Sequence, residues 1–279
     1  MPVQVRLLFW KHSSDNQLFA NNLSGTESHR NWLKERAHPS ILIRWHSSGP
    51  NRHHCHHEKS WLVDAGEQGQ VGYTGGIIVA NSWLAEPGHG GSRHDKHDVM
   101  VGMEGPVCTD LHHSFVQRWN SAIIDEDSEV ACFPNSEQCD DLEYPTALIP
   151  VLGAEEGAMC RAQLQRSISE TNNWTPAPTV DGDNLDVGGG EASILEQYEK
   201  AIDTAKEVIY LENQHIAHVQ PSTHSPLHLR NSKLTKRHRH PFCVSLSSHC
   251  REASKLFMWH LATCCLTESG QGWELLPAQ

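Results

Sequence analysis

No apolar run in this sequence approaches the roughly 20 residues that a helix needs to cross a bilayer, which excludes an obvious membrane-spanning segment. A cationic surplus is also missing. There are 22 Lys and Arg against 34 Asp and Glu, a formal net charge of −12. General nucleic-acid binders need a dense basic face to displace counterions, so nucleic acid is not an expected partner. The opening Met1-Pro2-Val3-Gln4-Val5-Arg6-Leu7-Leu8-Phe9-Trp10 lacks the cationic start and small-residue cleavage site of a signal peptide, and reads as a strand. Nine cysteines, an odd number without regular spacing, do not form a disulfide framework. Mostly reduced thiols in a cytoplasmic setting, with at most peripheral contact to membranes, are the expectation.

What remains is enough for a core: 279 residues can fold as one large domain or two small ones. Residues 3–10 and 41–45 cluster apolar side chains as buried parallel strands do. Between them, residues 13–35 are polar, with one helical stretch ending near Lys34. Strands are expected at 59–64, 71–80 and 98–103, separated by Gly-containing turns. Val107, Leu111, Phe115 and Trp119 recur every four positions, an amphipathic helix with Trp119 in the core. Residues 121–144 read as an acidic, solvated surface excursion. Residues 146–152 read as an edge strand interrupted by Pro150, and 170–190, rich in Asn, Pro, Asp and Gly, as a linker. Residues 191–206 carry Ile194, Leu195, Tyr198, Ile202 and Ala205 on one helical stripe, and 208–211 form a strand. The pattern predicts an α/β fold, a mixed β-sheet flanked by helices.

The chemistry concentrates at His57-x-Lys59, followed after four intervening residues by Asp64. On a strand, residues two apart point the same way, so His57 and Lys59 face one site. That pairing suits phosphate: a neutral imidazole can attack phosphorus while an ammonium offsets charge on the phosphoryl oxygens. Chance alone gives roughly 0.03 such motifs in a chain of this composition. The plainer alternative makes both residues surface members of a polar turn. His53, His54, Cys55, His56 and His57 offer Zn²⁺ or Cu²⁺ ligands, but adjacent residues rarely converge on one tetrahedral centre, so no purposeful metal site is assigned. Cys250, Cys264 and Cys265 with His260 form a weaker cluster of the same kind.

The neighbours of the motif follow a series: Val71-Gly72-Tyr73-Thr74-Gly75-Gly76, then Lys96-His97-Asp98-Val99-Met100-Val101-Gly102-Met103-Glu104-Gly105-Pro106, then a helix through Arg118-Trp119-Asn120, and later Tyr210-Leu211-Glu212-Asn213-Gln214. Over about residues 3–218 this resembles the phospholipase D superfamily. The resemblance implies a catalytic half-domain at 1–169, a linker at 170–190 and the start of a second half at 191–218. Residues 219–279 are expected to be an unrelated, poorly ordered tail, which makes the half-domain fold incomplete. It implies His57 as nucleophile or acid/base partner, Lys59 as phosphate clamp and Asp64 as an orienting carboxylate. Gly75, Gly76, His97, Glu212, Asn213 and Gln214 would contact substrate. No cofactor is implied; the substrate is a glycerophospholipid at a membrane surface. Such enzymes use two motifs, and the other His-x-Lys here, His94-Asp95-Lys96, has Val101 where the acid belongs. The chain is therefore expected to be impaired unless a homodimer completes the site. The rival reading is an inactive truncated fragment that binds phosphate headgroups or a partner.

Overall fold

The computed structural model describes residues 3–11, 27–47, 56–78, 83, 96, 98–122, 140–151, 153, 160–170, 174–206, 210–213, 243–246 and 263–266. The chain divides into two compact units, one of residues 1–194 with 257–279, the other of residues 195–256.

In the first unit β1 (Val5–Lys11) and β2 (Ile41–Ser47) pair in parallel, Val5 opposite Ile41. Parallel partners need a crossover, and α1 (Glu27–Arg36) lies within it. The two faces of β2 are both covered, which is why its sequence is apolar without strict alternation. Ile43 and Trp45 gather Leu7, Phe9, Leu33 and Ala37 on one side. Leu42 meets Trp119, Leu8, Phe115 and Leu142 on the other.

A three-stranded antiparallel meander follows: β3 (Ser60–Val63), β4 (Val71–Gly75) and β5 (Met100–Glu104). Its first turn places Asp64 at φ 52 and Gly66 and Gly69 in the same left-handed region. Buried Gln70 staples that turn, accepting from Gly66 N at 3.1 Å and donating to Thr109 Oγ1 at 3.1 Å. After Gly105, at φ 82, Pro106 opens α2 (Pro106–Ser121), a position where its missing N–H costs nothing. Val107, Leu111 and Trp119 are buried as their spacing requires, and Phe115 packs partly buried beside them. Met103, Val107, Cys108 and Leu111 join Leu62, Val101, Ala162 and Leu164 in the layer between sheet and helix.

Beyond α2 come β6 (Arg161–Leu164), β7 (Ala177–Pro178), β8 (Asn184–Leu185) and α3 (Ser193–Thr204). In the second unit β9 (Tyr210–Asn213) pairs in parallel with β10 (Cys243–Leu246). In the first, β11 (Thr263–Leu266) pairs antiparallel with β6. The class is α/β. Among the described residues parallel and antiparallel ladders stay separate rather than joining in one mixed sheet.

Three expectations change. Residues 170–190 are not a bare linker: β7 and β8 form a hairpin, and Trp174, Ala177 and Val187 are buried. His113 Nε2 donates to the Pro178 carbonyl at 2.9 Å, and Thr175 N to Ser121 Oγ at 3.2 Å, which fastens the hairpin to α2. Residues 146–151 form no strand; Pro150 removes one ladder donor, and Ile149 N donates to Thr109 Oγ1 at 3.1 Å instead. The end of the acidic excursion is docked: Asn120 exchanges two 2.8 Å bonds with Leu142, and Trp119 Nε1 donates to Asp140 O at 3.1 Å. Residues 123–139 lie outside the described residues, as does most of the tail, in which 243–246 and 263–266 are strands.

Candidate active site

The ladder of β3 and β4 continues one residue before Ser60, where Gly75 N donates to Lys59 O at 3.3 Å. Alternation then sorts the segment. Glu58, Ser60 and Leu62 turn inward. Glu58 Oε2 accepts from Arg118 Nη1 of α2 at 2.7 Å, its Oε1 accepts from Ser60 Oγ at 2.7 Å, and Leu62 joins the layer under α2. His57, Lys59, Trp61 and Val63 are left on the opposite face. There Lys59 Nζ lies 3.0 Å from each ring nitrogen of His57 and 2.7 Å from the His57 carbonyl oxygen, to which it donates. The ammonium and the imidazole thus converge on one spot, as two groups that serve a single phosphoryl group would.

Behind the pair stands a stack of rings. His46, at the end of β2, lies 4.4 Å from His56 with the planes 19° apart, and Trp174 presents its edge to both. His46 is 3% exposed, and its Nδ1 forms no hydrogen bond to any described residue. Burial, with the nearby Arg118 charge adding to it, lowers its pKa to about 3. His46 is therefore a neutral aromatic wall. His112 and His113 on α2 are lowered by burial in the same direction.

Asp64 is exposed in the turn at the far end of β3 from Lys59, about 16 Å away at the rise of an extended strand; its backbone carbonyl accepts from Glu67 N at 3.0 Å. Gly75 sits opposite Lys59, and a Cβ there would strike the Val99 carbonyl oxygen and lie 2.7 Å from Met100 Cα. Gly76 N donates to Val99 O at 3.0 Å, and a Cβ on Gly76 would overlap the Asp98 carboxyl. Both glycine amides are thus committed to the sheet. Glu212 and Asn213 lie on β9 in the other unit. His97, Gln214, His53, His54, Cys55 and His94 lie outside the described residues. Among the described residues no three His, Cys, Asp or Glu gather as a metal site, and Cys108 and Cys160 are free thiols.

The family model described as Phospholipase D matches residues 78–236, more than half of the chain. The chain belongs to the phospholipase D family. Phospholipase D alpha 1 of Nicotiana tabacum is 30% identical over 132 residues, 45% of this chain and 16% of its own length. Phospholipase D alpha 2 of Oryza sativa subsp. japonica is 31% identical over 135 residues, again 45% of this chain and 15% of its own. Phospholipase D A of Dictyostelium discoideum is 31% identical over 132 residues, 47% of this chain and 8% of its own. The chain thus spans less than a fifth of these phospholipases D. The match opens after the His57–Lys59 pair and runs past residue 218.

Sequence reasoning passed over Glu58 as the spacer inside the motif and left Arg118 without a role. The signal was available: a carboxylate flanked by two site-facing residues on a strand must turn inward, where an acid requires a cationic partner.

Proposed function

We propose that this chain cleaves phosphodiesters of glycerophospholipids by phospholipase D-type chemistry, with His57 and Lys59 as one half of the reacting centre. The observation that carries the proposal is the position of Lys59 Nζ, 3.0 Å from the imidazole nitrogens of His57. In this reading a ring nitrogen of His57 attacks phosphorus and the bond to the headgroup oxygen breaks. The headgroup alcohol leaves with a proton from a second imidazole, and water, or an acceptor alcohol, then cleaves the nitrogen–phosphorus bond. Lys59 neutralises the oxygens on which charge grows. Asp64, at the other end of β3, keeps only an orienting role through the turn it shapes.

One His-x-Lys-x4-Asp series occurs in the sequence, so a single copy supplies one imidazole–ammonium pair. A second copy, related by a twofold axis, would supply the other. Acid catalysis of the leaving group contributes ~10²- to 10⁴-fold, and a monomer is expected to be slow by that margin. The substrate class places the protein at a membrane surface during turnover. Release of headgroup and phosphatidic acid from vesicles, measured for wild type and His57→Ala alongside sizing in solution, tests the proposal. Turnover that requires His57 and rises with dimer formation is expected. Turnover that survives His57→Ala removes it, and a monomer that binds headgroups without turnover supports the rival reading of a binding fragment.

A further inference from the structure

His57 stands just before the regular part of its strand. β3 begins at Ser60, residues 56–59 have no regular secondary structure, and the main chain of Lys59 is tied to β4 by the 3.3 Å bond from Gly75 N, longer than the usual length of about 2.9 Å. A precise position for His57 therefore has to come from side chains as well. Glu58, between the two members of the pair, supplies it. Its Oε1 accepts from Ser60 Oγ and its Oε2 from Arg118 Nη1, both at 2.7 Å. Two bonds from two directions fix the plane of the carboxylate and with it the rotation of the strand at Glu58. Alternation passes that rotation to His57 and Lys59 on the opposite face.

The Ser60 bond is local, but Arg118 comes from α2 and ties the pair to the core. Its own footing is rigid. Trp119, the next residue, is fully buried with the Arg44 guanidinium 4.8 Å from the centre of its ring, and Asn120 is bonded twice to Leu142. Arg118 bears on the other flank of His57 too. Burial first, and then the Arg118 charge, keep His46 unprotonated, and His46 is the ring on which His56 stacks at 4.4 Å. Both neighbours of His57 thus answer to one guanidinium.

We infer that Arg118 is the positioning residue of the His57–Lys59 pair, acting through Glu58 from the far side of the strand, a role that rests on the phosphoryl reading of that pair. Displacing a reacting group by about 1 Å costs on the order of 10²-fold in rate, so loss of this clamp falls on kcat. A buried ion pair can also serve packing alone. The two roles part in the variant that replaces both residues by methionine: an apolar pair of similar volume is often as stable as the ion pair, yet it holds no carboxylate in place.

The test takes wild type, Arg118→Lys and Glu58→Met/Arg118→Met as full chains and measures urea midpoints, kcat and KM on phosphatidylcholine vesicles, and the ring-proton NMR lines of His57, identified by their loss in His57→Ala. The double variant is expected to unfold near the wild-type midpoint, to lose on the order of 10²-fold in kcat and to keep KM within about threefold. Arg118→Lys keeps a charge for the carboxylate without the planar fork, and is expected to run about tenfold faster than the double variant. The His57 lines should broaden or split in the double variant, as for an imidazole that takes more than one position. A double variant as fast as wild type, or rates that merely follow the midpoints, reduce Arg118 to packing and overturn the assignment, while turnover that needs His57 leaves the reaction standing. Where wild type turns over nothing, the phosphoryl reading falls and the NMR lines decide. Broadening in a stable double variant retains Arg118 as the residue that orders His57, and unchanged lines overturn it.

Discussion

Arg118 Nη1 lies 2.7 Å from a carboxylate oxygen of Glu58, the residue between the two members of the candidate catalytic pair. At 11% and 15% exposure the two charges are largely withdrawn from water, where removing one partner strands the other. Arg118→Met is expected to destabilise the fold by about 3 kcal/mol, at the low end for buried pairs. Glu58→Gln, which keeps the shape and an acceptor oxygen for Arg118 while its amide nitrogen can donate to Ser60 Oγ, should cost less. The double variant should recover part of the Arg118→Met loss. Urea denaturation of the four forms gives the coupling; a value below about 0.5 kcal/mol would show the pair to be idle.

Lys59 lends itself to a charge-against-shape comparison. Lys59→Met removes the ammonium but keeps the stem, and under the proposed chemistry it should lower kcat by about 10²- to 10³-fold. Lys59→Arg keeps the charge on a planar fork that does not reproduce a point contact with the imidazole, and should recover only part of the rate. Headgroup release from vesicles reports both. A Lys59→Met variant as fast as wild type would remove Lys59 from the reaction.

His46 makes stability depend on pH. Its folded-state pKa, about 3, lies below its ordinary 6.5, so between these values the unfolded chain binds a proton that the folded chain refuses. The stabilisation is complete above about pH 6.5 and is lost as pH falls toward 3, at up to about 1.4 kcal/mol per pH unit. Arg118 and His56 face this ring, and His112 and His113, lowered by burial, steepen the slope. Asp110, raised by burial, opposes it nearer the carboxylate range. His46→Phe keeps the stack on His56 and cannot titrate. Melting curves from pH 7 to 5 should fall less steeply for His46→Phe than for wild type; parallel curves would contradict the assignment.

The elements whose side chains repeat with a fixed period were legible in the sequence. α2 declared itself because Val107, Leu111 and Trp119 are buried at the spacing its geometry demands, and β2 because a short unbroken apolar run, with Leu42, Ile43 and Trp45 buried, suits a strand covered on both faces. Period two also put His57 and Lys59 on one face, as the structure has them. What composition hid is the hairpin of β7 and β8: Asn, Pro, Asp and Gly signal turns, but two-residue strands need only one packed aromatic, Trp174, and bonds offered by His113 and Ser121. The ring stack of His46, His56 and Trp174 joins residues far apart in sequence, which no local pattern encodes.

The glycines at 75 and 76 look equivalent in sequence and are not so in space. At Gly75 an added Cβ meets backbone, the Val99 carbonyl and Met100 Cα, and backbone can give way only by opening the bonds from Gly75 N to Lys59 O at 3.3 Å and Gly76 N to Val99 O at 3.0 Å. At Gly76 it meets the exposed Asp98 carboxyl, which can rotate aside at the expense of its 2.8 Å bond from Val99 N. Gly75→Ala is therefore expected to cost about 2–3 kcal/mol and to displace Lys59, lowering activity further than the stability loss explains. Gly76→Ala should cost about 1 kcal/mol and leave turnover nearly intact. Gly189→Ala, with open space around its Cβ, serves as the control. Denaturation midpoints and headgroup release on the three variants decide the matter, and equal behaviour at 75 and 76 would mean that the sheet does not hold Lys59 in place.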